Sequence, residues 1–459
     1  MYSEFPLFAL KKIDAVEVKR SAAIGMKNSV SQRYAQSSKF LDRAESVIPL
    51  ASQTFSKSRT QFPPGFAPLF VERGRGGRVW DIDGNEYVDL ICGLMPVVLG
   101  YCDSDVDAAI RRQLDLGITF SLSTKLETEL AERLVEIIPC AEMARFGKNG
   151  SDVTSAAVRL ARAYTGRDRI IAIGYHGWQD WYIGSTTINK GIPKAVQSLT
   201  HKLPFNDLGA LKNTFDLYPG EVAGVIVEPM NAAEPEPGYL EGLRHLATQN
   251  GTVLIFDEVV TGFRFALGGA QELFGISPDL AVFGKAMGNG MPISAVVGSA
   301  DIMREMEEIF YSGTFGGETL SIAAAITVID KLRNESVLQH IWEIGGVLRK
   351  GLNERLERHG LQNVIKASGK DPWVILGFSD HPSAEAAAIK TLFIVEMLKR
   401  GVLIQGSHNI CFAHDSGDVS DVLSAYDETL PLIAEKLETG TLVADLMMPI
   451  IRPIFQVRG

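Results

Sequence analysis

Cysteine is scarce in this chain, four among 459 residues, and no two stand in a C-x-x-C spacing. That excludes a disulfide-stapled scaffold and a cysteine-built zinc site, and leaves Cys92, Cys102, Cys140 and Cys411 to be read as reduced, mostly buried thiols. Long apolar runs are lacking as well. The longest are strand-sized and broken by charge or glycine, so no membrane span is expected. The amino-terminal residues, with Glu4, Lys11, Lys12 and Asp14, contain no hydrophobic leader core, which makes the cytoplasm the expected location. Positive charge is in deficit, 45 Lys and Arg against 55 Asp and Glu for a net charge of −10. Nucleic acid is therefore not an expected partner, although a local anion site needs only local donors. No G-x-G-x-x-G follows the first strand, which argues against a dinucleotide-dependent dehydrogenase. What is abundant is apolar residue, 46% over a length that can bury a large core in two or three domains.

The chemistry concentrates in two stretches. Leu280-Ala281-Val282-Phe283-Gly284-Lys285-Ala286-Met287-Gly288-Asn289-Gly290 reads as a buried strand that ends in a glycine-rich loop carrying one lysine. An amine at the end of such a strand stands where α/β proteins place their sites, and burial there lowers its pKa toward the free base that Schiff-base chemistry needs. Twenty-eight residues upstream, Thr252 to Phe256 is a second buried run that ends in Asp257-Glu258-Val259. Two adjacent carboxylates are costly to bury unless something cationic receives one of them. The protonated ring nitrogen of pyridoxal phosphate is such a partner, because that cofactor withdraws electrons only while the nitrogen keeps its proton. Asp257 is assigned to it, with Glu258 behind. A third stretch, Lys148-Asn149-Gly150-Ser151-Asp152, opens a helix expected to run to about Tyr164. The amides of Gly150 and Ser151 at that positive helix end make a phosphate cradle.

The linked motifs D-E-V-V-T-G-F-R (257–264) and F-G-K-A-M-G-N-G (283–290) resemble the class III, or omega, branch of the fold-type I aminotransferases, and within it the aminomutase-like members that act on glutamate-1-semialdehyde. The likeness runs from about Leu50 to Leu332. It implies an α/β fold with a large, mostly parallel seven-stranded sheet, plus a smaller α/β domain built from both chain ends. The expected boundaries are 1–90 for the amino-terminal segment, 91–334 for the cofactor domain and 335–459 for the carboxy-terminal part. The helix expected over Ser31 to Val47 would pack on a neighbour. The resemblance also implies roles: Asn149 and Val259 beside the cofactor, Tyr175 of Tyr175-His176-Gly177 over its ring at a gain of about 1 kcal/mol, Asn231 near its ring oxygen, and Thr314 bonding the phosphate of a second subunit. The loop Ser121-Leu122-Ser123 would reach that neighbour, so an obligate homodimer with shared sites is expected. Substrate contacts implied by position are Lys57, His176, Trp178, Glu228 and Glu318.

Three stretches depart from the aminomutase-like pattern. Thr54-Phe55-Ser56-Lys57 stands where those members carry Ser-Pro-Val-Arg, and a lysine does not reproduce a bidentate guanidinium. Trp178 to Thr187 interleaves aromatic and hydroxyl residues where they have a small, mobile lid; such a mixture suits a sugar, and packing of the two tryptophans in the core explains it equally well. Gly316-Gly317-Glu318-Thr319 replaces Ser-Gly-Asn-Pro. The departures favour transfer between two molecules, from an amino-acid donor such as glutamate to a carbonyl acceptor, for which a keto- or aldehydo-sugar for surface polysaccharide is a candidate. Intramolecular exchange within glutamate-1-semialdehyde is the alternative.

Overall fold

The computed structural model describes residues 32–452; Ser31 and the residues read above for a leader lie outside them. The helix expected near the start runs Ala35–Glu45. Three antiparallel strands follow, β1 (Val71–Arg75), β2 (Arg78–Asp81) and β3 (Glu86–Asp89), with the turn Asp83-Gly84-Asn85 joining β2 to β3.

The large sheet holds β4 (Met143–Gly147), β5 (Arg169–Ile173), β6 (Thr200–Lys202), β7 (Val222–Val227), β8 (Val253–Asp257), β9 (Leu280–Phe283) and β10 (Ser294–Gly298). Their spatial order is β4-β10-β9-β8-β7-β5-β6. Pairing is parallel from β9 through β8, β7 and β5 to β6. β10 lies antiparallel to both of its neighbours, so β4 and β9 on either side of it point the same way. The helix Gly150–Thr165 covers one face with Val153, Ala157, Leu160 and Ala161. The other face is covered by Ile322, Ala325, Val328 and Ile329 of the helix Thr319–Asn334, among others. Strands buried on both faces are uniformly apolar, which is why β7, β8 and β9 read as continuous hydrophobic runs.

Beyond residue 334 come β11 (Ile365–Lys370), β12 (Trp373–Phe378), β13 (Val402–Leu403) and β14 (Ser407–Asn409). β11, β12 and β14 make a small antiparallel sheet, whereas β13 adds to the first sheet by pairing in parallel with β3. One core joins Tyr87, Val88 and Leu90 to Phe393, Met397, Val402 and Tyr426, so the two ends of the described chain share a hydrophobic interior. Among the described residues no helix is long and apolar enough to cross a membrane.

Candidate active site

In an open parallel sheet the carboxyl ends of the strands all open on one edge, and the loops leaving them converge there. Tyr175 and His176 follow β5, Glu228 follows β7, Asp257 ends β8 and Lys285 follows β9. β4 points the same way, which brings Lys148 and the start of the Gly150 helix to the same edge. The result is a cavity of about 390 Å³ lined by Lys148, Asn149, Gly150, Ser151, Tyr175, His176, Trp178, Glu228, Asp257, Val259 and Lys285. Ten residues singled out in the sequence for the cofactor or its substrate therefore meet in one place.

Lys285 sits in left-handed backbone, φ 43°, at the head of a single 3-10 turn, Lys285–Gly288. A residue with a side chain holds that conformation at a cost of order 1–3 kcal/mol, a kind of strain that collects at functional positions. Asn289 braces the loop, its Oδ1 accepting from Leu99 N at 2.9 Å and its Nδ2 donating to Gly100 O at 3.0 Å.

The two carboxylates after β8 find different partners. Asp257 Oδ2 lies 2.8 Å from His176 Nδ1, and its Oδ1 accepts from Val259 N at 3.1 Å. Glu258 points away and is fully buried. Burial pushes its carboxyl above the usual range, against hydrogen bonds that favour the charged form: Ala270 N and Gln271 N donate at 2.7 and 2.9 Å, and the Thr261 hydroxyl donates as well. Gly269 must be glycine here, since its φ is +87° and a Cβ would come within 2.6 Å of Glu258 Oε2. Backbone amides, rather than a cation, thus receive the second carboxylate. His176 stands behind Asp257: it is buried, its carbonyl accepts from the Thr154 hydroxyl at 2.9 Å, and its Nε2 has no partner among the described residues.

At the cradle, Asp152 Oδ2 accepts from Lys148 N and Asn149 N. The amides of Gly150 and Ser151 stand in the first turn, where the helix offers no acceptor. Ser151 Oγ accepts from Trp178 N at 3.2 Å, which leaves its own hydrogen for a ligand. Space for that ligand depends on two glycines. A Cβ on Gly150 would meet Val259 Cγ1 at 3.1 Å, and one on Gly177, φ +99°, would meet Ser151 Oγ at 2.3 Å. An anionic ring compound fits these donors: amides and a hydroxyl at a helix end for phosphate, an oriented carboxylate for a ring N–H, and an amine between them. Gly150→Val is expected to weaken pyridoxal phosphate binding about 10- to 100-fold, the loss of one or two charge-assisted hydrogen bonds, with an unchanged circular dichroism spectrum. Equilibrium dialysis measures it; undiminished affinity would remove the cradle from this helix.

Other sequence candidates lie elsewhere. Lys57 lines a separate cavity of about 430 Å³ with Asp89, Tyr101 and Gln405, and it is Thr54, three residues earlier, that reaches the Lys285 cavity. Asn231 does not line that cavity; its Oδ1 accepts from Ala233 N in a local turn. Thr314 lines a third cavity, about 410 Å³, which borders the first at Lys148. Glu318 caps the helix Thr319–Asn334 through Leu320 N and pairs with Lys148 Nζ at 2.9 Å. The two tryptophans part company. Trp181 is buried and donates to Ser155 Oγ, as a core residue does, whereas Trp178 stands 65% exposed at the cavity mouth. Sequence reasoning passed over Lys148, Pro96, Met291 and Ile293 as wall residues; only Lys148 carried a signal, a cation immediately before the phosphate loop.

A family model described as aminotransferase class-III matches residues 62–421. The chain is 35% identical over 416 residues to a 3-aminobutyryl-CoA aminotransferase of Cloacimonas acidaminovorans, covering 88% of this chain and 99% of that protein. It is 35% identical over 390 residues to a glutamate-1-semialdehyde 2,1-aminomutase of Brevibacillus brevis, covering 79% and 90% respectively. Among solved structures, the FumI protein of Sphingopyxis sp. MTA144 superposes with a TM-score of 0.82 at 31% identity, covering 88% of this chain and 98% of that one.

Proposed function

The chain belongs to the class III aminotransferases, enzymes that work with pyridoxal phosphate, and we propose that it moves an amino group between two molecules, from an amino-acid donor to a separate carbonyl acceptor. One observation carries the proposal: no arginine is among the described residues that line the cavity, and Lys57, the nearest counterpart of the aminomutase guanidinium, lines a different one. Exchange within a single molecule must retain its intermediate through a full cycle, which needs a firm carboxylate clamp and a closing lid. Transfer between molecules has the opposite need, since the first product must leave before the acceptor enters.

The bound cofactor supplies an electron sink that makes the proton on the substrate's amino-bearing carbon removable. The chain's own groups do the rest. Gly150 and Ser151 hold the phosphate through amides and a hydroxyl. Asp257, aligned by His176 and Val259 N, keeps the ring nitrogen protonated. Tyr175 supports one face of the ring. Lys285 would hold the cofactor through its side-chain amine, and that amine would move the proton at the substrate's amino-bearing carbon as a general base and then acid. Lys148, in the cavity wall beside the cradle and paired with Glu318, is a cation that a donor's carboxylate would meet.

With Trp181 committed to the core, the case for a sugar face rests on Trp178 alone. The walls formed by Pro96, Val260, Met291 and Ile293 suit an acceptor with no carboxylate next to its carbonyl, a description that covers a keto- or aldehydo-sugar and also a thioester such as the Cloacimonas relative's name implies. We further propose a homodimer interface over the third cavity, where Thr314 is exposed: Leu116, Ile118, Phe120 and Leu122 in one segment, with Phe310 and Phe315 in another, leave large apolar side chains exposed, as surfaces that a partner covers do.

The experiment is a half-reaction. Glutamate alone, the first donor to try, is expected to convert the bound cofactor to its amine form and release a keto product, with ping-pong kinetics once an acceptor is added. Glutamate-1-semialdehyde is expected to turn over slowly if at all. The aminomutase relative keeps the second reading in play: rapid, stoichiometric formation of 5-aminolevulinate without any added donor would establish exchange within one molecule instead.

A further inference from the structure

Away from the Lys285 cavity, Cys92, Cys411 and His414 form a fully buried cluster whose thiol sulfurs and imidazole nitrogen lie within 4.8 Å of one another. Both cysteines sit at turns of the backbone. Cys92 begins a run of four left-handed residues, φ 50, 67, 77 and 79° at Cys92, Gly93, Leu94 and Met95, and the next residue, Pro96, is in the wall of the Lys285 cavity. Cys411 opens a turn in which its N–H donates to His414 Nδ1 at 3.1 Å and its carbonyl accepts from His414 N at 3.1 Å, which folds the imidazole back onto the thiol.

Arg264 ties the two segments together. It is fully buried and donates to Met95 O at 2.9 Å and to Ile410 O at 2.8 Å. A buried guanidinium without a counter-charge costs several kcal/mol. Among the described residues it has no carboxylate partner, and the acidic groups close enough to offset its charge are the thiols of Cys92 and Cys411. Cys92 Sγ donates toward Asn409 O at 3.0 Å and Asp89 O at 3.3 Å. The neighbouring Cys92 and His414 draw the Cys411 thiol well below its usual range against the effect of burial, while Cys92 is pushed up. Two thiols within 4.8 Å of each other, next to an imidazole and a guanidinium, have the composition of a reactive pair rather than of inert core cysteines.

We infer that Cys92 and Cys411 form a redox-active dithiol that a small hydroperoxide converts to a disulfide. Cys411 attacks the outer peroxide oxygen, the O–O bond breaks, and the leaving alkoxide or hydroxide takes up the proton given off by the Cys411 thiol. The sulfenic acid formed then condenses with the Cys92 thiol: the S–S bond forms, the S–O bond breaks and water leaves. Two thiols are oxidised by two electrons, and the peroxide is reduced to an alcohol or water. The 430 Å³ cavity approaches the pair from one side, its walls including Ile91, Gly93 and Leu94 on either side of Cys92. The inference does not rest on the aminotransfer reading.

The test treats the holoenzyme with stoichiometric hydrogen peroxide or cumene hydroperoxide, alkylates all remaining thiols under denaturing conditions, and maps the peptides by mass spectrometry. A Cys92–Cys411 linked pair, lighter by two hydrogens, is expected, with Cys140 still alkylated. His414→Gln is expected to form the link at least about tenfold more slowly, because rate follows thiolate population. In Cys92→Ser, Cys411 is expected to stop at the sulfenic acid and to be captured by dimedone. Finding Cys92 and Cys411 both alkylated at a dose that has already oxidised the exposed Cys102, or finding either one linked to a different cysteine, would overturn the inference.

Discussion

Lys285→Ala is expected to lower turnover by at least about 10⁴-fold while the protein still binds pyridoxal phosphate. The size follows from role: one amine both anchors the cofactor and moves the proton, and a positioned acid–base group alone contributes about 10²- to 10⁴-fold. Retention follows from geometry, because the amides of Gly150 and Ser151 and the carboxylate of Asp257 lie on other loops of the sheet edge and do not depend on the lysine. The fold should survive as well. Alanine faces the same left-handed backbone at φ 43° that lysine does, so the change removes an amine without adding strain. Steady-state rates with saturating cofactor measure the first part, and absorbance after gel filtration the second. In the wild type, borohydride should fix the cofactor on Lys285 alone; a peptide map that placed it on Lys148 or any other lysine would transfer the chemistry there.

Asp257→Ala is expected to weaken cofactor binding about 10- to 100-fold and to cost about 10²- to 10³-fold in kcat even at saturating cofactor. The affinity loss is that of one charge-assisted hydrogen bond, about 1.5–3 kcal/mol. The kcat loss is separate and diagnostic, since a ring nitrogen without its carboxylate no longer holds its proton and the electron sink weakens. The substitution also strips His176 of the partner at 2.8 Å that its buried ring now has. Titration of cofactor into the apoprotein gives the first number, and initial rates extrapolated to saturation give the second. If excess cofactor restored full kcat, Asp257 would be a binding residue only.

Much of the scaffold was legible because its segments are strongly patterned. Arg169–Ile173 and Val222–Val227 are runs rich in Ile, Val and Ala between charged or turn-forming neighbours. The helix over 150–164 needed only a one-residue extension to Thr165. Lys285 and Asp257 stood out because each ends such a run. What stayed hidden was relational. The antiparallel insertion of Ser294–Gly298 between two strands that point the other way is decided by pairing, which leaves no mark on the run itself. Position in an alignment pointed to Lys57, but the 3-10 turn Phe55–Lys57 carries it to another cavity and leaves Thr54 at the site. Trp178 and Trp181 are alike in sequence, and only packing sorted one to the rim and the other to the core. The contact between His176 and Asp257 joins loops some eighty residues apart, beyond the reach of any local pattern.

The parallel pairing of Val402 with Val88 and Leu403 with Asp89 has a bearing on synthesis as well as on shape. A strand edge formed early must wait for about 300 further residues to be made, which at roughly 5–20 residues per second is on the order of tens of seconds on the ribosome. During that interval the backbone of β3 is unpaired along one side, and apolar residues such as Tyr87, Val88 and Leu90 are without the carboxy-terminal helices that bury them. Nascent chains of this enzyme therefore pass through a long aggregation-prone window, and a ribosome that stalls short of residue 402 releases a product whose open edge recruits other chains. Chaperone demand for this protein is set by when its last quarter emerges, and it is independent of anything the site does.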